Sequence, residues 1–304
     1  MKIASRRFTT YAWILLAYNF AVILWGVYVR ASGSGAGCGA HWPLCNGVVI
    51  PPTQKIQTLI EFIHRVSSGF TLVLAAGLVI WAWRAFPKRH LLRLSSAGVF
   101  VFTISEAIIG AALVLLELVD TNASIYQVIS LVTHLINTFL LLACLSLTAW
   151  WATFGVPKKI QWVGKKSWLL LTGILGIILI GSTGAVTALG DTLFPSQSFS
   201  QGMLQDFSPA ANFLIRLRII HPILAVTIGF YVLGLALWLR RKYSIAPIRQ
   251  IGTGLAGVVV LQLGLGAINV LLAAPIWMQL LHLFVSDQVW IGLVLLSGAV
   301  LSQL

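Results

Sequence analysis

Charge is scarce in this chain: only 9% of its 304 residues are Asp, Glu, Lys or Arg, while 59% are hydrophobic. A soluble domain carries roughly 25% charged residues. A water-facing globule could not hide this much apolar surface, so the composition excludes one and reads as an integral membrane protein. Strands of alternating polarity are also missing, which excludes an outer-membrane-type barrel. What remains is a set of long apolar runs, near 11–29, 59–83, 94–116, 128–151, 168–188, 213–239, 251–272 and 276–301. About 20 apolar residues cross a hydrocarbon core as a helix, and backbone groups in lipid must bond internally. The expected fold is therefore an all-α membrane protein of eight spans.

Acidic residues are rarest where basic ones cluster. Lys2, Arg6 and Arg7 precede the first span. Arg84, Lys88, Arg89 and Arg93 lie between spans two and three, and Lys158, Lys159, Lys165 and Lys166 between four and five. Arg240, Arg241, Lys242 and Arg249 lie between six and seven. Together these are fifteen of the twenty Lys and Arg, and none of the seven Asp and Glu shares those segments. By the positive-inside rule this face is cytoplasmic, and both termini lie on it. The net charge of +13 is thus a topology signal rather than a nucleic-acid surface. The first apolar run is longer than the ~7–15 residues of a signal-peptide core, so it reads as a retained span. No Arg- and Ser-rich transit segment precedes it, which favours a bacterial cell membrane over an organelle.

The chain repeats itself. ILWGVYVRASGSG from Ile23 is matched by ILIGSTGAVTALG from Ile178, and EAIIGAALVLL from Glu106 by QLGLGAINVLL from Gln262. His64 pairs with His221, and THLIN at 133–137 with LHLFV at 281–285. Four matched pairs in one order argue for a duplicated four-helix unit. With an even number of helices each, the halves are parallel repeats. The expected organisation is two pseudo-symmetric four-helix bundles: residues 11–151, a cytoplasmic linker at 152–167, and residues 168–301.

Four of the six histidines, His64, His134, His221 and His282, fall near the outer ends of even-numbered spans, two in each half. One such histidine would read as a polar contact between helices. A proton relay would string carboxylates through the whole bilayer, whereas these four stay near one surface. A structural zinc wants four close ligands and a catalytic one three, and each half offers two, with Glu61 a third in the first half only. Two imidazoles on facing helices are suited to clamp a haem iron from both sides, and that reading fits the pattern best.

Glu61 stands three residues before His64 in EFIHRVSSG, on the same helix face. The matching stretch FLIRLRIIH, 213–221, has apolar and basic residues, Leu214 among them, and no carboxylate. A positioned carboxylate can move protons, so the asymmetry points to chemistry in one half and a held cofactor in the other. The bland alternative is an ion pair from Glu61 to Arg65 or Arg30. Arg30, Arg65, Arg216 and Arg218 lie near the outer ends of spans; they are candidates for haem propionate contacts, or snorkelling anchors.

Cysteine is nearly absent, three in all, and two of them lie within GCGAHWPLCNG at 37–47 in the first outer loop, 30–58. Thiols outside a bacterial membrane tend to be oxidised, which favours a Cys38–Cys45 disulfide, structural or exchanging with a partner thiol. Three metal ligands, Cys38, His41 and Cys45, are the weaker reading. Cys144 reads as a small apolar packer.

GSGAGCGAHWPLCNG, then EFIHRVSSG, then one histidine in each of spans four, six and eight resemble the haem A synthase family over essentially the whole chain. The resemblance implies a haem-dependent membrane oxidoreductase. It would oxidise the C8 methyl of haem O to a formyl group by successive hydroxylations, making haem A for terminal oxidases. His221 and His282 would ligate haem B, His64 and His134 the substrate haem, Glu61 would be the essential carboxylate, and Cys38–Cys45 the outer disulfide. A haem O synthase is the implied partner, the electron donor is open, and a homo-oligomer is compatible. The second cysteine pair of some family members is missing from 189–212, so a relay through two disulfides cannot apply. The rivals are a di-haem b-type electron-transfer cytochrome, which needs no Glu61, and a transporter, which calls for helices broken at the midplane. His221-Pro222 is the one such break in the histidine spans, and it lies near the outer end.

Overall fold

The computed structural model describes residues 4–52 and 55–302; Lys2 of the basic N-terminus falls outside them. Eight helices are long and apolar enough to cross a membrane. They are α1 (Arg6–Ala31), α2 (Ile56–Ala85), α3 (Leu91–Leu115), α4 (Ile125–Phe154), α5 (Lys165–Leu193), a sixth span in two pieces, α9 (Ala246–Leu271) and α10 (Ile276–Ser302). The protein is a multi-pass, all-helical membrane protein, and among the described residues no strand forms.

Short polar residues at the span boundaries start the helices. Ser5 accepts from the Phe8 amide and Ser124 from that of Gln127, each satisfying a donor the first turn leaves orphaned. Two features depart from eight simple runs. A short helix α6 (Phe199–Asp206) forms in the connection after α5, capped by Ser198. The sixth span is split into α7 (Phe213–Arg218) and α8 (Ile220–Lys242). Pro222 explains the split: it has no N–H for the Arg218 carbonyl and its ring clashes there.

Neighbour relations repeat along the chain. In order, α1 packs on α2, α2 on α3, α3 on α4, and α4 back on α1. Likewise α5 packs on α8, α8 on α9, α9 on α10, and α10 back on α5. The helices α1, α4, α5 and α10 also touch across these two sets. The inner position of α10 is plain from burial: 61% of its most apolar window is buried, against 17% for α3 and α9. Trp290 ties α10 to α4. Its indole stacks on Phe139 at 4.9 Å between centroids and its N–H donates to the Phe139 carbonyl at 2.7 Å. Trp290→Phe should cost about 1 kcal/mol through the lost bond alone, read as a lower melting temperature in detergent.

The first and last described helices meet the end of α4 and the α4–α5 connection at one end of the molecule. Thr9 donates to the Ala152 carbonyl, and the Gln161 amide donates to the Leu301 carbonyl. The helices run into the expected linker, leaving 155–164 between α4 and α5. The histidines and the disulfide loop lie toward the other end.

Candidate functional site

The four histidines sit on α2, α4, α8 and α10. His134 is the histidine close enough to His64 to act on it electrostatically, and His221 stands in the same relation to His282. The fold thus brings them together as two pairs, one on α2 and α4, one on α8 and α10. Small residues on adjacent helices make room for three of the rings. A Cβ on Gly26 would lie 2.8 Å from His64 Cε1, one on Gly184 2.9 Å from His221 Cε1, and one on Gly266 3.1 Å from His282 Cε1.

The donor set fits haem. Nδ1 of His64, His134 and His282 is buried without a hydrogen-bond partner, a condition that costs about 1–3 kcal/mol per polar group if left unrelieved. His221 Nδ1 meets Thr183 Oγ1 at 3.2 Å, which orients the ring and leaves Nε2 for a metal. His64 with His134, and His221 with His282, are thus residues that could hold a haem iron between them.

Glu61 is buried beneath the disulfide loop. Its Oε2 accepts from the Cys38 amide at 2.8 Å, and its Oε1 takes Arg65 Nε at 3.0 Å and Nη2 at 2.5 Å. Arg65 also donates to the carbonyls of His41 and Leu44 at 2.5 and 2.7 Å. The ion pair to Arg65 is therefore present, and the same arginine latches the loop over the carboxylate. Within that loop Cys38 and Cys45 are disulfide-bonded, with Cα atoms 4.4 Å apart. Among the described residues no group of three or more His, Cys, Asp or Glu is placed to hold a metal ion, which sets aside the Cys38–His41–Cys45 metal reading.

The second half inverts the charge. Three residues before His221 stands Arg218, not Leu214, buried at 7% exposure against 3% for Glu61. Leu214 instead joins a small apolar cluster with Val128, Val186 and Leu189. Arg218 pairs with Asp191 at 2.9 Å and Asp206 at 2.8 Å, and reaches Gln205. The other candidate arginines also hold protein groups. Arg30 donates to the Ala188 carbonyl, Thr192 and Gln279, tying α1 to α5 and α10, and Arg216 donates to the Pro209 carbonyl. Asp191 and Asp206, partners that sequence reasoning missed, lie 27 and 12 residues from Arg218 along the chain, a separation that leaves no periodic signal.

The family of cytochrome oxidase assembly proteins (COX15-CtaA) matches residues 9–294. The chain belongs to this family. Its relatives include proteins from two strains of Thermus thermophilus, each named Protoheme IX farnesyltransferase. Both are 44% identical over 301 residues, 99% of this chain and 49% of their own length. The chain therefore spans about half the length of these relatives. A Heme A synthase of Exiguobacterium sp. (strain ATCC BAA-1283 / AT1b) is 37% identical over 123 residues, 40% of this chain and 41% of its own. Another, of Bacillus mycoides (strain KBAB4), is 36% identical over 124 residues, 41% and 39% respectively.

Proposed function

We propose that this protein is a haem A synthase, a membrane oxidoreductase that converts the C8 methyl of haem O to a formyl group. The observation that carries the reading is the asymmetry of two otherwise matched histidine pairs. A buried carboxylate precedes His64 by one helical turn, and a buried arginine precedes His221. A pure electron-transfer cytochrome needs two haems and has no use for a proton-handling group at one alone. The reading has residues 11–151 taking the substrate through His64 and His134. Residues 168–301 hold haem B through His221 and His282, residues 152–167 link the halves, and both termini are cytoplasmic.

The change is a four-electron oxidation of one carbon. One hydroxylation gives the hydroxymethyl, a second the geminal diol, and loss of water leaves the formyl group. Each hydroxylation takes one oxygen atom from dioxygen, with two electrons and two protons, and releases one water. The haems, when bound, supply the electron and oxygen chemistry. The chain's own part is positional. His64 and His134 would present the porphyrin at the level of Glu61. Glu61 would hold or pass the proton, with Arg65 fixing its orientation. The disulfide loop, latched by Arg65, would limit water at that carboxylate. The Thermus relatives are twice as long and named for farnesyl transfer to protohaem IX, whose product carries the farnesyl chain that haem O carries. That this chain resembles about half of proteins named for protoheme IX farnesyl transfer supports a haem O synthase as the partner that hands over substrate.

The deciding experiment is chromatographic identification of haems extracted from the purified protein, produced beside a haem O synthase. Haem B with haem O and haem A is expected. Haem B alone, with no haem A formed, would return the protein to the di-haem cytochrome class. A second expected result concerns packing: Gly26→Ala should lose most of the haem bound at the first pair, since its Cβ would displace the His64 ring. Gly69→Ala, with nothing within 4 Å of its Cβ, should bind haem as wild type does. A haem-to-protein ratio measured on both variants checks this.

A further inference from the structure

We propose that Glu106 positions His134, and that it makes the two histidines of the first pair unequal: His134 the anchored ligand, His64 the exchangeable one. This rests on the reading that His64 and His134 hold the substrate haem. Glu106 lies on α3, and its Oε2 is 3.3 Å from Nδ1 of His134 on α4. The carboxylate is itself held in a cradle. Asn137 Nδ2 donates to Oε2 at 2.6 Å, and the Thr138 hydroxyl donates to Oε1. Asn137 also donates to the Phe102 carbonyl at 2.8 Å and accepts from Ser105 at 2.6 Å. Both cradle residues belong to the turn of α4 that follows His134, so acid and imidazole are placed by one stretch of helix.

His134 Nδ1 stops short of hydrogen-bond geometry, and a rotation of the ring about its bond to Cβ would bring the N–H onto Oε2. A carboxylate at one ring nitrogen fixes the tautomer and the ring plane, presents the other nitrogen to a metal, and raises its basicity. His64 has no such support: its Nδ1, like that of His134, is buried without a hydrogen-bond partner, but among the described residues no ion pair joins it to a carboxylate, and its ring rests against Gly26. An imidazole fixed in tautomer and ring plane holds iron more firmly than an unsupported one, so an incoming small ligand would displace His64.

The second half serves as an internal control. Gln262 takes the place of Glu106 in the repeat and approaches His282 at Nε2, 3.2 Å away. Val285 and Ser286 stand where Asn137 and Thr138 stand, so the cradle is missing and Gln262 Oε1 has no partner. A neutral amide cannot raise a ligand's basicity as a carboxylate does. Glu61 and Glu106 are thus both carboxylates of the first half, with Arg218 and Gln262 at the matching positions of the second.

The test uses the purified, haem-loaded protein in detergent, read by potentiometric titration and by the low-spin signals of the ferric haems in electron paramagnetic resonance. Glu106→Gln should retain both haems, raise the reduction potential of one, and move that haem's resonance signal while the other stays. The reciprocal Gln262→Glu, made in an otherwise unchanged chain, should lower the potential of the other haem; it keeps the test open should Glu106→Gln fail to fold. If both variants leave both potentials and signals unchanged, while His134→Ala removes one haem's signal, the positioning role is overturned and the ligand assignment stands. If His134→Ala leaves both signals intact, the ligand assignment itself is wrong and the proposal falls with it.

Discussion

Glu61→Gln should bind both haems and lose haem A formation by about 10²–10⁴-fold, the range that removal of one positioned acid–base group produces. The amide keeps the shape of the carboxylate and can still accept from the Cys38 amide, now 2.8 Å from Oε2. It cannot carry the proton, and it leaves Arg65 without its counter-charge. Arg65 keeps the His41 and Leu44 carbonyls, so the loop stays latched and the loss is chemical rather than structural. Turnover of haem O by the purified variant, with haem content measured alongside, separates the two effects. Normal haem A formation with full haem content would remove Glu61 from the mechanism.

Arg218→Met should be the most destabilising single change among the site residues, by about 3 kcal/mol, the scale for breaking a buried ion pair by deleting one partner. Arg218 is 7% exposed and sits between Asp191 and Asp206, whose side chains are 21% and 18% exposed. Without the guanidinium, two half-buried carboxylates face each other with nothing to offset their desolvation. The same arginine holds α6 against the end of α5, so the loop between them should loosen, read as faster proteolysis within 194–212. Adding Asp191→Asn and Asp206→Asn to Arg218→Met should restore most of the melting temperature. Failure of that rescue would mean that the arginine acts through packing of its stem rather than through charge.

The spans, their number and the pairing of histidines were legible in the sequence because each rests on a local rule. Apolar length decides a span, basic loops mark one face, and the internal repeat aligns His64 with His221 and His134 with His282. The disulfide was legible for a similar reason: two cysteines close together in a loop expected on the oxidising side favour a bond between them, and Cys38 and Cys45 are bonded. The break at Pro222 was visible in composition, since a missing N–H acts on its own helix.

What the chain order could not reveal was which distant groups share a buried space. Arg218 was a candidate for a propionate contact until the fold placed Asp191 and Asp206 against it. Glu106 read as one residue in a repeat until the packing of α3 on α4 set it beside His134 and under Asn137 and Thr138. Arg65 reads from the sequence as an ion-pair partner of Glu61, a propionate contact or an interfacial anchor; its latching of the disulfide loop comes from α2 meeting that loop. Periodicity and spacing act along one helix and are written in the sequence. The partner of a buried charge is chosen by how helices far apart in the chain come together, because a charge taken out of water must find its counter-charge wherever packing brings one.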